Sequence, residues 1–489
     1  MFFLRLFNKS LNILNNKFCA YTIFISWLLG LWIINGKIPA SSSGDDMFHS
    51  EIAWSILINN EHAYKIIPDD NLLIHIKFFF PPIVNYLQFL SFKIFDLNQF
   101  SMNFLKTFLI SIFLILSLFY AKKKLVDTSV AIFFSISFAS VPVLLSYALH
   151  NRNENVYVLF IIISFILCEL LVKNKTQEKI AFFFSGVLIG LSIITYYPLI
   201  FIFLIIGSLL AIFLSKNNSI VTNLILIFIG QSVVCFFFLV WIYPDYLFAI
   251  RQQLEIAKGK YAGDWIKERF IYFPFSFFFI LISTFLLKKY PLPIKNNSSK
   301  FCFITTILFA LSLFQSNFVN YPSFVFFLFG LLNLKINKSL NSIKEINLDK
   351  IFLVLSISSM IIMSILVFKS FEKGRNYNLF SNHLNNNINL NGVVITDRVA
   401  WLHLRPLLNQ NNLFEIYNKN DAASNFRSSI LFDVNYSKKI SSVVINEHMY
   451  DYYYKTFPLF RALMSSNNCS SKLIGINAPY QVRVYNCKI

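Results

Sequence analysis

The amino-acid sequence predicts a polytopic all-α membrane domain followed by a small C-terminal α/β domain outside the membrane. Three observations predict it. Of 489 residues, 56% are hydrophobic and only 14% charged, with a mean hydropathy of +0.59, so there is too little polar surface to cover a water-soluble particle. Apolar runs close to the ~20 residues that cross a bilayer recur along the chain. After Phe371 the composition changes abruptly towards Asn, Ser and charged residues.

The apolar runs lie at roughly 18–36, 102–120, 128–148, 156–172, 180–196, 198–215, 221–243, 270–287, 301–316, 321–335 and 351–369, which makes about 11 spans. The first lacks a small-x-small cleavage site and is read as a retained signal anchor. Thr195-Tyr196-Tyr197-Pro198 forms a tight hairpin between the fifth and sixth. Lysines crowd alternate loops: Lys122-Lys123-Lys124, then Lys173, Lys175 and Lys179, then Lys288, Lys289, Lys295 and Lys300, then Lys335, Lys338, Lys344 and Lys350. The positive-inside bias assigns these loops and the N-terminus to the cytoplasm. Loops at about 37–101 and 244–269, and everything after residue 370, then lie outside. The net charge of +19 is accordingly topogenic, and nucleic acid is not expected as a partner.

The division is therefore a transmembrane domain over 1–370 and a soluble α/β domain over 371–489. In the latter, Val393–Thr396, Val443–Ile445 and Gln481–Tyr485 read as strands, and Trp401, Leu402, Leu404 and Leu408 as one side of a helical turn. Cys19, Cys168, Cys235 and Cys302 sit in or beside spans, where a small apolar residue suffices. If 472–477 pairs with 480–486 as a hairpin, Cys469 falls opposite Cys487, within reach of a disulfide in an oxidising compartment. Free thiols are the other reading.

The first outer loop carries the chemistry. Asp45 and Asp46 are adjacent, and mutual repulsion raises the proton affinity of one of them unless a cation lies between. That suits a general base. A cap on the helix expected over Met47–Asn59 is the plainer role, compatible with the first. On that helix Phe48, Ile52, Ser55 and Ile56 fall on one side, as for a helix in the membrane interface with its apolar side towards lipid, with His49 and Glu51 elsewhere. His49, His62 and His75 are candidate metal ligands, although no ligand spacing links them. The cofactor is left open, with a divalent metal at Asp45 and Asp46 as one reading. The polar, aromatic loop from Tyr243 to Arg269 is either a lid or an interfacial hairpin held by Tyr261 and Trp265.

The acidic pair just after the first span, the following helix and the step Phe80-Pro81-Pro82-Ile83 resemble the C-type (GT-C) membrane glycosyltransferases. The likeness is to their polyprenyl-phosphate-sugar-dependent branch, which includes protein mannosyltransferases and aminoarabinose transferases of lipid A. Asn151-Arg152-Asn153-Glu154 is similar to the family's short outer loop with an arginine and a carboxylate. Gly190-Leu191-Ser192-Ile193-Ile194-Thr195-Tyr196-Tyr197-Pro198 resembles its Gly-Leu…Thr-Lys-Tyr-Pro segment. The chain departs from the pattern with Phe80 where a basic residue or His often precedes Pro-Pro, and with Tyr196 in place of lysine.

The resemblance implies an inverting glycosyltransferase of the bacterial cytoplasmic membrane that takes sugar from a polyprenyl-phosphate donor. The acceptor is a lipid, a polysaccharide or a protein. Asp46, with Asp45 as helper or alternate, is then the base. Arg152 holds the donor phosphate, because guanidinium is a planar, permanently charged, bidentate donor. Pairing with Glu154 or snorkelling to headgroups is the other role open to it. Lys77, Lys267 and Arg269 are further phosphate candidates, and Glu154, His75 and Tyr196 supporting ones. A lipid-linked-sugar flippase, or a membrane protein whose outer domain only binds a ligand, is the competing class. The spans are nearly free of charge, which disfavours a transport path through them.

Overall fold

The computed structural model describes residues 17–37, 44–62, 82–125, 127–138, 153–196, 199–241, 273–289, 297–312, 321–336, 348–370, 377–396, 400–408, 413–415, 440–447, 450–456, 461, 469–474 and 481–487. In chain order the helices are α1 (Lys17–Lys37), α2 (Gly44–Asn59), α3 (Pro82–Phe95), α4 (Gln99–Lys124), α5 (Thr128–Ser137), α6 (Asn153–Leu170), α7 (Lys175–Thr195), α8 (Ile200–Leu214), α9 (Ile220–Trp241), α10 (Phe273–Lys289), α11 (Asn297–Ser312), α12 (Tyr321–Ile336) and α13 (Leu348–Ser370). There follow α14 (Tyr377–Asn385), β1 (Val393–Thr396), α15 (Trp401–Leu404), β2 (Leu413–Glu415), β3 (Ile440–Asn446), α16 (Tyr450–Thr456), β4 (Cys469–Ile474) and β5 (Val482–Cys487). Among the described residues, each apolar run expected to span coincides with a helix, α1 or one of α4 to α13. Among the described residues, α1, α4, α6, α7, α9 and α13 are long and apolar enough to cross a membrane, and α5, α8, α10 and α12 are apolar but shorter.

Helix ends follow local chemistry. Asn60 adopts φ 56° and Asp96 φ 59°, the left-handed conformation that Asn and Asp tolerate best after glycine, and they close α2 and α3. Asn98 and Ser101 cap α4 reciprocally, Ser101 N donating to Asn98 Oδ1 at 2.9 Å and Asn98 N to Ser101 Oγ at 3.0 Å. Pro82 opens α3, where its missing N–H costs nothing.

The chain forms two compact units. The first draws on Met1–Trp32, Lys106–Trp241 and Asp264–Ile365 and is an aromatic helical bundle. Phe134 meets Phe138, Phe329 and Phe352 edge-on, and Phe165 stacks on Phe301. Two of its buried polar contacts join distant helices: Tyr120 donates to Asn333 Oδ1 at 2.7 Å and Trp27 Nε1 to Ser359 Oγ at 3.0 Å. Gly186 of α7 and Gly230 of α9 let those helices touch backbone to backbone, as small residues do in membrane bundles. The lysine-bearing ends meet one another. Lys122 donates to Tyr21 Oη, Lys124 pairs with Glu169, and Lys216 Nζ donates to the Glu169 carbonyl. The Glu178 carboxylate accepts from the backbone N–H groups of Lys216, Asn217 and Asn218. Lys122, Lys124 and Lys216 thus gather at one end of these helices.

The second unit draws on Ile33–Leu105, Ile242–Gly263 and Leu366–Ile489. Its five-stranded sheet has the order β2-β1-β3-β5-β4, with β2, β1 and β3 parallel and β3, β5 and β4 antiparallel. Residues on both faces of β1 and β3 are buried, as in a sheet covered on two sides. The edge strand β4 is exposed at Ser470, Ser471 and Lys472, a polar rim that discourages further strand pairing. Cys469 stands opposite Cys487 in the β4–β5 register and is bonded to it. Around Trp401, Val394, Val444 and Val484 the core also takes in Ala53 of α2, Phe92 of α3 and Met102 of α4. Sequence divides the chain at residue 370, whereas packing groups the segment 33–105 with the C-terminal sheet.

That grouping corrects one expectation. The side of α2 expected to face lipid is enclosed by protein, with Ile52, Ser55 and Ile56 all buried and Ile58 57% exposed. His49, Ser50 and Glu51 are buried as well, so α2 is an interior helix of this unit.

Candidate active site

The helix that carries the acidic pair begins at Gly44, which puts Asp45 and Asp46 in its first turn. Carboxylates are favoured there by the positive end of the helix dipole. The side chains of Asp45 and Asp46 lie outside the described residues, as do Lys77, His75, Arg152, Lys267 and Arg269. What can be built from the residues upward is the machinery that holds α2.

One turn beyond the acidic pair, His49 enters a buried polar chain. Its Nδ1 lies 2.6 Å from Asn85 Oδ1, and Asn85 Nδ2 lies 3.0 Å from His62 Nε2. All three side chains are buried. With the Asn85 amide so oriented, its carbonyl accepts from His49, which therefore carries its proton on Nδ1, and its NH₂ donates to His62, whose Nε2 carries none. The His62 ring also packs against Tyr86 at 5.8 Å.

Elsewhere on α2, Glu51 makes a second buried cluster. Arg405 Nη2 donates to Glu51 Oε1 at 2.8 Å and Trp401 Nε1 donates to Glu51 Oε2 at 2.9 Å. Glu51 and Trp401 are wholly excluded from solvent and Arg405 is 2% exposed. Each carboxylate oxygen has its own donor, so Glu51 is a bound anion with a structural partner, poorly placed to take a proton from a substrate.

In the helical bundle, Glu154 occupies the first turn of α6 and is buried. Tyr157, one turn later, stacks on Tyr196 at 6.0 Å, where Tyr196 closes the end of α7. Two predicted supporting residues are thus brought to the same end of the α6–α7 hairpin. Tyr157 also meets Phe203 and Phe309, so aromatic packing fixes the position that a lysine takes in the family pattern.

Among the described residues no three His, Cys, Asp or Glu side chains converge to hold a metal ion. His49 Nδ1 and His62 Nε2, both candidate ligand nitrogens, are directed at Asn85. The side chains of Asp45 and Asp46, where a divalent metal was considered, lie outside these described residues. Glu51, Asn85, Trp401 and Arg405 were not among the candidate site residues singled out from sequence. A carboxylate two residues from a histidine on a helix with few other charges was the available signal for Glu51. Arg405, far along the chain, gave none.

Comparison with known proteins adds to this picture. Residues 80–243 match a family model described as dolichyl-phosphate-mannose-protein mannosyltransferase. No protein of curated function matches the chain in sequence. Among solved structures, the arabinofuranosyltransferase AftD from Mycobacteria is similar over 97% of this chain and 40% of its own, with 10% identity and a TM-score of 0.52. ArnT from Cupriavidus metallidurans, solved with undecaprenyl phosphate bound, is similar over 95% of this chain and 97% of its own, with 10% identity and a TM-score of 0.45. The oligosaccharyltransferase AglB from Archaeoglobus fulgidus, in complex with an inhibitory peptide and a dolichol-phosphate, is similar over 95% of this chain and 74% of its own, with 13% identity and a TM-score of 0.46. The likeness to AftD is one of fold.

Proposed function

We propose that this integral membrane protein, having the GT-C fold, transfers a sugar from a polyprenyl-phosphate donor to an acceptor at the outer face of the membrane, inverting the anomeric carbon. The observation that carries the reading is the match of residues 80–243 to the dolichyl-phosphate-mannose-protein mannosyltransferase model. The resemblance of the acidic pair and of the Arg152 loop to the same family's motifs adds to it.

In this reading Asp46, assisted by Asp45, takes the proton from the acceptor hydroxyl or amine as it attacks. The new bond forms to the anomeric carbon while the bond from that carbon to the phosphate oxygen breaks on the opposite side. Polyprenyl phosphate leaves with the bonding electrons. Arg152 stabilises the charge gathering on that phosphate, with Lys77, Lys267 and Arg269 as further cations, the kind of electrostatic help that is often the largest contribution. The outer location is supported by the positive-inside alternation of lysine-rich loops along the sequence and by the Cys469–Cys487 disulfide. The acceptor is a lipid, polysaccharide or protein presented at that surface, and the membrane lipids deliver the donor.

The test is to incubate the purified full-length protein with a panel of polyprenyl-phosphate sugars and follow release of the free lipid phosphate. One donor should be consumed, and Asp46→Asn should abolish release while leaving insertion and folding intact. An Asp46→Asn protein with full turnover would remove the mechanism.

A further inference from the structure

Glu51 and Arg405 join α2 to the end of α15 in the C-terminal domain through a fully buried ion pair. A buried pair of this kind is a poor source of stability, because desolvation offsets most of the attraction and apolar side chains of similar size often do as well. Here Arg405 Nε has no hydrogen-bond partner among the described residues, so part of the guanidinium's bonding capacity is unused. The surroundings are apolar: Ala53, Leu402 and Leu404 belong to the same core. What the pair supplies that a hydrophobic contact would not is direction, since two donors meet two oxygens of one carboxylate at fixed angles.

The placement on α2 matters. His49 and Glu51 are two residues apart, about 200° around a helix of 3.6 residues per turn, so their partners hold α2 from nearly opposite sides. Asn85 of α3 takes one side, and Trp401 and Arg405 of the C-terminal domain take the other. Both contacts lie within about two turns of Asp45 and Asp46 along the axis. A helix held on two sides by directional contacts can neither rotate nor slide without breaking one of them.

We propose that Glu51, Trp401 and Arg405 are positioning residues through which the C-terminal domain sets the register of α2, and with it the acidic pair. The clamp is a property of the fold; its consequence for transfer rests on the function proposed above. Misplacing a reacting group by about 1 Å costs on the order of a hundredfold in rate, so a helix loosened at Glu51 should turn over slowly even when the protein is folded.

The experiment uses the full-length protein with E51Q, which keeps an acceptor for Trp401 but loses the charge, and with E51M/R405M, which replaces the pair by apolar side chains and keeps the core filled. Amide hydrogen exchange over 44–59 should rise about tenfold or more in both variants, with the amides of β1 and β3 unchanged, as local opening of one element predicts. With whichever polyprenyl-phosphate sugar of the panel is consumed, kcat should fall about tenfold or more while the donor KM stays within about twofold, the pattern of an interaction needed only in the transition state. If exchange over 44–59 stays at the parent level in both variants, the clamp does not position α2 and the inference is overturned. Loosened exchange with an unchanged kcat overturns it too. A parent protein inactive on every donor would remove the function proposed above, while the exchange measurement would still decide the clamp.

Discussion

Asn85 Oδ1 lies 2.6 Å from His49 Nδ1, and the same amide reaches His62 Nε2 at 3.0 Å, so one neutral side chain satisfies two buried histidines. Asn85→Leu keeps the volume and removes both contacts. Leaving a buried polar group unsatisfied costs about 1–3 kcal/mol, and with two rings affected the expected loss is about 2–6 kcal/mol. Thermal unfolding of the purified protein reads it directly. A variant as stable as the parent would show that these rings find other partners.

Glycine positions separate sharply by their surroundings. A Cβ added at Gly186 would lie 2.3 Å from the Ile227 carbonyl oxygen, and one at Gly230 would lie 2.4 Å from that of Phe183. Backbone cannot yield as a side chain does, so Gly186→Ala and Gly230→Ala should each destabilise the bundle by about 1–3 kcal/mol through overpacking. Gly36 has nothing within 4 Å of the added atom, and Gly36→Ala should leave the melting temperature in detergent unchanged or slightly raised.

The Cys469–Cys487 bridge closes a span of 18 residues across β4 and β5. Loops of about this length restrict the unfolded chain enough to contribute about 3 kcal/mol. Cys487→Ser should therefore lower the stability of the second unit by about 2–4 kcal/mol, read by denaturant unfolding, with the helical bundle unaffected. Labelling of thiols before and after reduction should expose two additional cysteines in the parent only.

His403 carries a pH dependence of known sign. Ser381 Oγ lies 2.8 Å from its Nδ1 and Asn385 Oδ1 2.7 Å from its Nε2, and burial holds its pKa below the ordinary value of 6.5. Because the carbonyl of Asn385 accepts, Nε2 carries the proton and Nδ1 accepts from the serine hydroxyl. Below that ordinary value the unfolded chain binds a proton that the folded one resists. The stability His403 contributes is thus complete above about pH 6.5 and declines as pH falls through the depressed folded pKa. Melting temperatures of the parent between pH 7.5 and pH 5 should fall more steeply than those of His403→Gln, and parallel curves would show that His403 does not titrate in this range.

Much of the layout could be read from the chain. The helices α1 and α4 to α13 were marked by apolar runs, which need no partner to be recognised. The β4–β5 register followed from alternation about a turn, since in a hairpin the pairing of one residue sets all the others. The surroundings of α2 could not be read in the same way. Ile52 and Ile56 suggested a lipid-facing side, yet both are buried in protein, and His49 and Glu51 find partners 36 and 354 positions along the chain. No local pattern encodes contacts of that separation.

By itself the sequence determined residence in the membrane, the succession of apolar helices and the change of character after Phe371, because hydropathy and turn chemistry act over a few tens of residues. Only the tertiary structure decided that the helix bearing Asp45 and Asp46 belongs to the same core as the C-terminal sheet, and that Arg405 and Asn85 hold it from two sides. A buried charge must be matched wherever the fold brings a counter-charge, and that meeting is set by packing in three dimensions.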